Sequence, residues 1–535
     1  MKIKFFKNEL LIAIVWSVFL SLITIIPYYI ASTYTPKNMC FMGFFEGSFD
    51  QNSYLGWIKQ GVEGNILFKN LYTVQEQSNN FFHPLFYLMG KFIKLINSNV
   101  TDGYHIFRII TGFLLLLLIY YFIRIFIEEK NRRLYSFILI TISSGFGWLF
   151  SRELYEKLGK TFALMPIDLW ITEGFTFFTV ATRPIFIVSL ALMLLIFYFF
   201  WISCKKNYWL YAFFAGIFSL LLTLIHPYDL VTVYTTLVIY IICDYINKKK
   251  LDINIIKNFL IVFLIALPAL IYEYYIFNFA EVFKAWKDVN ITISPNPYSY
   301  IIGYGLLIPF AIWGIFLTLK SAKTEKLLLL SWIFAVMVLT YLPFNFQRRF
   351  ILGAQIPLCI FATEGIFAFS SYISSKKRIF NAKVILILLL LITLPSTFKF
   401  IFDNLNGVKK YYLNYNIYED DFSAFEWINK NIKSPSNFIS SFIIGMYLPG
   451  RTGNSVFVGH YHNTPNFSDK LDILNKFFNS KTADDFRTNV LKENSIDYLY
   501  YGQFEKNLGD FNPDNVKYLT VVYQISNVKI FKVIN

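Results

Sequence analysis

The feature that most constrains this chain is a series of long apolar runs separated by short polar connections. A helix of about 20 apolar residues is long enough to cross a hydrocarbon core of roughly 30 Å. Eleven runs approach or exceed that length, too many for one water-soluble core to bury. The predicted fold class is therefore a polytopic α-helical membrane protein of about 11 transmembrane helices. The runs cover residues 10–30, 104–127, 134–150, 175–201, 208–226, 229–247, 257–277, 299–319, 327–343, 350–372 and 382–402.

Composition supports this class and argues against several others. Of the 535 residues, 56% are hydrophobic and 16% are charged, against roughly 25% charged residues in soluble domains. Such a chain is too apolar to be disordered. The net charge of +15 comes from short basic clusters between the apolar runs, so the predicted partner is the lipid bilayer and not nucleic acid. The four cysteines include no CxxC pair and give no support to a zinc site or a disulfide framework.

The basic clusters predict the orientation of the chain in a cell membrane. Cytoplasmic connections of multi-pass proteins are enriched in Lys and Arg. With a cytoplasmic N-terminus, the inner connections each carry two or three basic residues, and an odd number of spans places the C-terminus outside the cytoplasm. These inner connections are residues 128–133, 204–207, 247–250, 320–326 and 374–378.

Two regions fall outside the predicted spans. Residues 81–96 are apolar but short and contain Lys91 and Lys94, which favours an amphipathic helix at the outer membrane surface. Residues 403–535 are more polar and alternate helical with strand-like segments, which predicts an extracytoplasmic α/β domain after a transmembrane domain of residues 1–402. The predicted helices are 421–432, 469–478 and 483–493, and the predicted strands are 438–443, 455–458, 498–501, 519–523 and 529–533.

The predicted topology gathers unusual polar residues on the outer side. Ionisable groups at membrane depth cost several kcal/mol unless they are paired or face water, so a cluster on one face indicates a site. Simpler roles stay open: Asp50 as a helix N-cap, His83 as a turn end, His226 and Asp229 as caps of adjacent spans, and the Arg348–Arg349 pair as interfacial anchors. The cluster contains Glu46, Asp50, His83 and Lys91 in a long first outer loop (31–103), Asp168 and Glu173 in the connection between the third and fourth spans with Arg183 just inside the fourth, and His226, Asp229, Arg348 and Arg349 further on.

Three short segments in the first outer loop carry a resemblance. They read Glu46-Gly-Ser-Phe-Asp50, Phe82-His83-Pro84-Leu85 and Met89-Gly90-Lys91. An acidic first outer loop followed by such a segment resembles the glycosyltransferase-C (GT-C) superfamily, which includes the protein O-mannosyltransferases and the lipid A aminoarabinose transferase. The paired acidic residues and second proline of the O-mannosyltransferases are absent. The resemblance implies Asp50 as the catalytic base, Asp168 as a second acidic residue, and Lys91 on the phosphate of a polyprenyl-phosphate donor.

Elementary chemistry agrees with that implication. Sugar transfer from a polyprenyl phosphate releases an anionic phosphate, which cations stabilise, and Arg binds phosphate bidentately. Lys91, Arg183, Arg348 and Arg349 are the predicted phosphate ligands. The acceptor, whether a glycan, a lipid or a protein, needs a carboxylate within hydrogen-bond reach of its hydroxyl. The predicted activity is hexosyl or pentosyl transfer in the cell envelope.

Several questions stay open at the sequence level. A divalent ion, Mg or Mn, is possible because Glu46, Asp50, Asp168 and Glu173 offer oxygen ligands. Competing functions are a transporter or flippase of lipid-linked glycans, which usually shows internal repeats, and a non-catalytic membrane scaffold. Near the C-terminus, the glycines flanking Arg451 predict a turn, and His460 with His462 predicts a strand end rather than a metal site.

Overall fold

A computed structural model describes residues 2–320, 324–374 and 381–534. The predicted cytoplasmic connections 320–326 and 374–378 lie partly outside the described residues. The chain forms two compact units, each assembled from three stretches of sequence. The first unit comprises Met1–Ile26, Arg108–Glu273 and Ile291–Asn404, and the second comprises Pro27–Phe107, Tyr274–Asn290 and Leu405–Asn535.

Seven helices among the described residues are long and apolar enough to cross a membrane, or eight if one bent pair counts as a span. This confirms the polytopic α-helical fold class, whereas the number eleven stays a prediction. Three predicted runs form shorter helices, Lys130–Ile142, Trp209–Ile225 and Leu327–Leu339. The seven are Glu9–Thr33, Val100–Phe126, Pro184–Lys206, Pro227–Lys248, Ile253–Phe279, Gln355–Ile373 and Ala382–Lys410, and the bent pair is Pro297–Tyr304 with Leu307–Lys320.

Proline and glycine explain where predicted spans are interrupted. The run 175–201 divides into Thr176–Thr182 and Pro184–Lys206, because the residue before a proline avoids the helical region, and Arg183 is extended at φ −131°. The pair Pro297–Tyr304 and Leu307–Lys320 bends by 88° at Gly305, whose φ is +51°. The remaining short helices and 3-10 turns of the first unit are Gly147–Leu149, Arg152–Lys157, Thr161–Leu164, Ile167–Leu169, Thr172–Gly174, Thr324–Lys326 and Gln347–Ile351.

The second unit contains two sheets. Strands β1 (Met39–Phe41) and β2 (Asn416–Tyr418) pair antiparallel. A five-stranded sheet has the order β4-β3-β5-β7-β6, with β3 parallel to β4 and β5, and β7 antiparallel to β5 and β6. Its strands are β3 (Asn437–Ile439), β4 (Ser455–Val456), β5 (Tyr498–Tyr501), β6 (Leu519–Ile525) and β7 (Val528–Val533). The predicted C-terminal mixture of helices and strands is therefore confirmed.

Helices cover both sides of this sheet, and one of them differs from the sequence prediction. The predicted strand 438–443 ends at Ile439, and the predicted turn around Arg451 is wrong because residues Phe442–Thr452 form a helix. Gly453 ends that helix with φ 76°. Helices of the second unit are Ser48–Glu63, Pro84–Leu95, Glu281–Val289, Glu419–Asn431, Phe442–Thr452, Phe467–Phe477, Asp484–Glu493 and Gln503–Lys506, with 3-10 turns Tyr412–Asn414 and Pro513–Asn515.

The first outer loop and the C-terminal segment share one hydrophobic core. Met42 and Tyr72 pack in the same buried cluster as Phe438 and Met446. The helices Ser48–Glu63 and Phe442–Thr452 touch so closely that a Cβ added at Gly450 would lie 2.8 Å from a Leu55 side-chain atom. The second unit thus joins residues 27–107 to residues 405–535. The sequence places residues 27–107 in the transmembrane domain, because pairing and packing between distant segments leave no local signal.

A shared core requires the first outer loop and the C-terminal segment to lie on the same side of the membrane. We expect single cysteines at the exposed positions Asn65 and Asp485 to react with a membrane-impermeant maleimide in intact cells, in a cysteine-free background. A cysteine at Lys250, in a predicted cytoplasmic connection, should react only after permeabilisation. Labelling at only one of the first two positions would contradict the shared compartment, and labelling of all three would contradict the orientation.

Candidate functional site

Three arginines of the first unit surround one buried carboxylate. Glu173 lies in the 3-10 turn Thr172–Gly174, and its Oε1 accepts a hydrogen bond from Arg349 Nη1 at 3.2 Å. Its Oε2 accepts from the Thr172 hydroxyl at 3.2 Å. Arg348 and Arg183 also act on this carboxylate electrostatically. We call Arg183, Arg348, Arg349 and Glu173 the arginine cluster, in which three guanidinium groups act on one carboxylate, and the buried Asp229 also interacts electrostatically with Arg349 and Glu173.

The charges of the arginine cluster shift the pKa values of its members. Burial by itself raises the pKa of Glu173, but the charges of Arg348, Arg349 and Arg183 together lower the pKa to about 2. Burial lowers the pKa of Arg348, and Glu173 partly opposes that shift. Arg348 Nε is buried without a hydrogen-bond partner among the described residues. An additional anion would therefore be stabilised here, because surplus positive charge is held away from water.

Aromatic rings support the guanidinium groups of the arginine cluster. Arg183 and Arg349 lie 5.4 and 5.9 Å from the centre of the Phe186 ring, and Arg348 lies 4.9 Å from that of Trp170. Such contacts hold a planar cation while leaving its edges available for hydrogen bonds. The Trp170 contact is a feature that sequence reasoning missed.

The predicted residues His226 and Asp229 lie beside the same ring. The His226 ring centre is 5.6 Å from that of Phe186. His226 follows the helix Trp209–Ile225 and precedes Pro227, and its Nδ1 lies 2.8 Å from Asp229 Oδ2. The structure therefore joins these two residues as a buried pair at the junction of two helices, where His226 occupies the cap position but its side chain makes no capping hydrogen bond to the following helix.

Asp168 holds a backbone turn of the first unit. Its side chain is fully buried, and its Oδ2 accepts hydrogen bonds from the backbone amides of Gly145 (3.1 Å) and Gly147 (3.0 Å). A Cβ at Gly147 would lie 2.3 Å from Asp168 Oδ1, so the turn closes directly over the carboxyl. Burial raises the pKa of Asp168 to about 6, against the lowering effect of these amides and Ser396. This geometry suits a positioning role better than contact with substrate.

Asp50 of the second unit is paired with a histidine from the C-terminal segment. Gly47 is the N-cap of the helix Ser48–Glu63, so Asp50 lies in the first turn and is not the cap. Asp50 Oδ1 lies 3.3 Å from His460 Nε2. His460 occupies a loop rather than the predicted strand end. The Asp50 side chain is 35% exposed, whereas that of His460 is 4% exposed.

The other predicted residues of the first outer loop have structural surroundings. His83 is the N-cap of the helix Pro84–Leu95, where its Nδ1 accepts from Phe86 N at 3.3 Å. Glu46 accepts a hydrogen bond at its backbone carbonyl from Gln51 Nε2 at 2.5 Å. Lys91 is exposed on the same helix as His83, with Nζ 5.1 Å from the centre of the Tyr87 ring. These positions place Lys91 in the second unit, apart in the chain from the three arginines of the first.

The predicted metal ligands do not form a cation site in the described part of the chain. No three His, Cys, Asp or Glu side chains gather there in a way that would hold a metal. Asp168 is engaged by two amides, and Glu173 is engaged by Arg349 beside two further arginines. A divalent cation beside three guanidinium groups would be repelled. The arginine cluster therefore fits an anion and not a metal.

Comparison with solved structures identifies the fold. Neither a protein-family model nor a curated protein sequence matches the chain. The archaeal oligosaccharyltransferase AglB from Archaeoglobus fulgidus, solved with an inhibitory peptide and a dolichol-phosphate, is similar over 91% of this chain and 69% of AglB, with 13% identity and a TM-score of 0.51. ArnT from Cupriavidus metallidurans, bound to undecaprenyl phosphate, is similar over 97% of this chain and 98% of ArnT, with 10% identity and a TM-score of 0.51.

Both structures have the GT-C fold, so this chain has that fold. Its seven long apolar helices among the described residues support a multi-pass membrane protein. The resemblance that the first outer loop carries is thereby confirmed at the level of fold. These identities are too low to transfer residue roles, and the roles rest on the geometry of this chain.

The arginine cluster predicts an unusual response to replacing Glu173 with Gln. Removing one partner of a buried ion pair typically costs about 3–5 kcal/mol, so we expect a lower melting temperature for Glu173→Gln. Because a bound phosphate would then offset the added positive charge, a polyprenyl phosphate should raise the melting temperature more in the variant than in the wild type. Lys205→Gln, at an exposed ion pair with Glu325, serves as the control. If polyprenyl phosphate raises the melting temperature equally in Glu173→Gln and in the wild type, phosphate does not bind at the arginine cluster.

Proposed function

We propose that this protein is an integral membrane glycosyltransferase that transfers a sugar from a polyprenyl-phosphate donor to an acceptor at the extracytoplasmic face. The observation that carries the proposal is the arginine cluster, in which Arg349 contacts the buried carboxylate of Glu173 and Arg183 and Arg348 act on it electrostatically. Its support is the GT-C fold, since AglB and ArnT of that fold were solved with a dolichol-phosphate and with undecaprenyl phosphate.

The charge of the cluster suits the leaving group of this reaction. A sugar linked to a polyprenyl monophosphate carries one negative charge, and the phosphate gains a second when the bond to the anomeric carbon breaks. Positive charge in excess of the Glu173 carboxylate therefore favours the products and the transition state over the donor. Arg183, Arg348 and Arg349 would bind the phosphate oxygens, and no general acid is required for departure of an anionic phosphate.

Asp50 is the residue that we assign as the general base. A base must reach the acceptor hydroxyl, and the Asp50 carboxyl is partly exposed whereas Asp168 is fully buried. It lies in the first turn of the helix Ser48–Glu63, where the helix dipole attracts negative charge. Asp168 acts as a positioning residue that shapes the turn at Gly145 and Gly147.

The two residues that follow Asp50 make hydrogen bonds within their own segment. Gln51 and Asn52 are buried, and their side-chain amides donate to the backbone carbonyls of Glu46 and Ser48. They therefore stabilise the start of the helix Ser48–Glu63.

A transfer assay tests the function directly. Purified protein in lipid vesicles is incubated with a panel of polyprenyl-phosphate hexoses and pentoses, and release of polyprenyl phosphate is measured. Release that depends on both the sugar donor and the protein is the expected result. If every donor remains intact in the presence of glycan, lipid and peptide acceptors, the proposal is wrong.

Neutralising the arginines should weaken donor binding more than it disturbs folding. We expect Arg348→Gln and Arg349→Gln to reduce affinity for a polyprenyl phosphate by about 10- to 150-fold, since hydrogen bonds to charged groups contribute roughly 1.5–3 kcal/mol. Lys205→Gln, an exposed cation outside the cluster, should bind normally. Affinity is measured by titration of the purified protein in detergent. If both arginine variants bind as the wild type does, these residues are interfacial anchors, and other cations must hold the phosphate.

Replacing Asp50 separates a catalytic from a structural role. Asp50→Asn keeps the size of the side chain but removes its charge, and loss of a positioned base typically lowers the rate about 10²–10⁴-fold. Donor affinity should be preserved because the phosphate is bound elsewhere. Loss of a negative charge from the first turn of a helix costs roughly 0.3–1 kcal/mol, so the melting temperature should fall only slightly. Wild-type turnover in Asp50→Asn would exclude this residue as the base.

A further inference from the structure

We propose that His460 is a positioning residue that holds the carboxylate of Asp50 in the orientation needed for proton abstraction. This role rests on the proposed function, since it presumes that Asp50 is the base. The two residues are 410 positions apart in the sequence, yet both belong to the second unit, and Asp50 Oδ1 lies 3.3 Å from His460 Nε2. The C-terminal segment would thereby contribute directly to the chemistry.

The hydrogen bonds of the imidazole define which nitrogen carries the proton. The backbone amide of His462 donates to His460 Nδ1 at 3.3 Å, so Nδ1 is an acceptor and is unprotonated. In the neutral ring the proton is then on Nε2, which donates to Asp50 Oδ1. A donor at this position stabilises the carboxylate and fixes one of its oxygens.

Exposure decides which member of the pair meets the substrate. His460 is 4% exposed and lies behind Asp50, whose carboxyl is 35% exposed. Both ring nitrogens of His460 are engaged by protein groups, so the ring has no nitrogen directed at an acceptor. The carboxylate of Asp50 therefore lies closer to solvent than the imidazole of His460. Asp50 is placed to act as the base, and His460 is placed to hold it.

The loop that carries His460 (residues 459–464, the His460 loop) is held rigidly. The Thr464 hydroxyl donates to the Tyr72 carbonyl at 3.0 Å and accepts from Gly459 N at 3.1 Å. A Cβ at Gly459 would lie 2.5 Å from a Tyr72 ring atom, so the loop passes directly over this tyrosine. The loop is thus fixed to the first outer loop at Tyr72.

Tyr72 also holds the helix that bears Asp50. Its hydroxyl lies 3.0 Å from the Asn52 carbonyl, two residues beyond Asp50, and 3.2 Å from the Met446 carbonyl. Burial raises the pKa of Tyr72 far above its usual range, so the hydroxyl stays protonated as a donor. One buried side chain therefore sets the spacing between the two partners of the Asp50–His460 pair.

Two substitutions of His460 distinguish positioning from simple structural support. In His460→Gln, the side-chain amide nitrogen takes the place of Nε2 and can donate to Asp50, whereas the side chain in His460→Ala has no donor. We expect His460→Ala to lower kcat about 10- to 100-fold, because small misplacements of a reacting group cost that much. KM for the donor should be unchanged, and His460→Gln should restore most of kcat.

A matched control comes from elsewhere in the same unit. Tyr500→Phe removes the buried hydrogen bond from the Tyr500 hydroxyl to Asp421 Oδ1 at 2.7 Å. This variant should lose stability without losing kcat. In an Asp50→Asn background, His460→Ala should have no further effect on kcat, because the two residues act as one unit. Equal loss of kcat in His460→Gln and His460→Ala, or full activity in His460→Ala, would overturn the positioning role.

A spectroscopic measurement tests the contact without relying on transfer. The chain has 5 histidines, so ¹⁵N-histidine labelling gives few signals, and comparison with His460→Gln assigns that of His460. We expect an unprotonated Nδ1 and a protonated Nε2 whose resonance shifts in Asp50→Ala. A resonance that does not shift overturns the inference, whatever the activity. A shift in a protein that transfers no sugar supports the contact and overturns only the proposed function.

Discussion

The fold of the first unit requires hydrogen-bond partners for the backbone groups that are left over where a helix ends close to the membrane. Water is scarce there, so non-helical backbone persists only where protein groups satisfy it. Gln355 accepts from the Thr176 amide at 2.8 Å and donates to the Ser143 carbonyl at 2.7 Å. Asp168 accepts from two glycine amides, and the Ser396 hydroxyl accepts from Trp148 N at 2.9 Å. These side chains make an irregular segment possible in the first unit.

That irregular segment is what allows charged groups to converge. Glu173 lies in a 3-10 turn, Arg183 lies at the break before Pro184, and Arg348 and Arg349 lie in another 3-10 turn. Continuous helices through these positions would distribute the four side chains around separate helix surfaces. The interruptions in the helices and the arginine cluster therefore have a common cause, namely Gly and Pro residues that end helices where polar side chains supply the missing hydrogen bonds.

The sequence predicts most of the fold because its signals are local. Apolar runs indicate helices, and alternation indicates the strands near residues 498–501 and 529–533. The helix Phe442–Thr452 escapes notice because Pro449 and Gly450 are typical of turns. The Asp50–His460 contact and the ion pair of Glu173 with Arg349, separated by 176 residues, leave no local pattern at all. Residue type alone singles out Arg348 and Arg349, but only the fold shows their shared carboxylate.

The surplus charge of the arginine cluster has a consequence for turnover under the proposed function. A phosphate that gains a negative charge during transfer is attracted more strongly after the reaction than before it. Three arginines that face one glutamate would therefore retain the spent lipid longer than the incoming donor. The spent lipid would leave more slowly than the unreacted donor, and Glu173 would serve as the counter-charge that keeps the product from remaining bound.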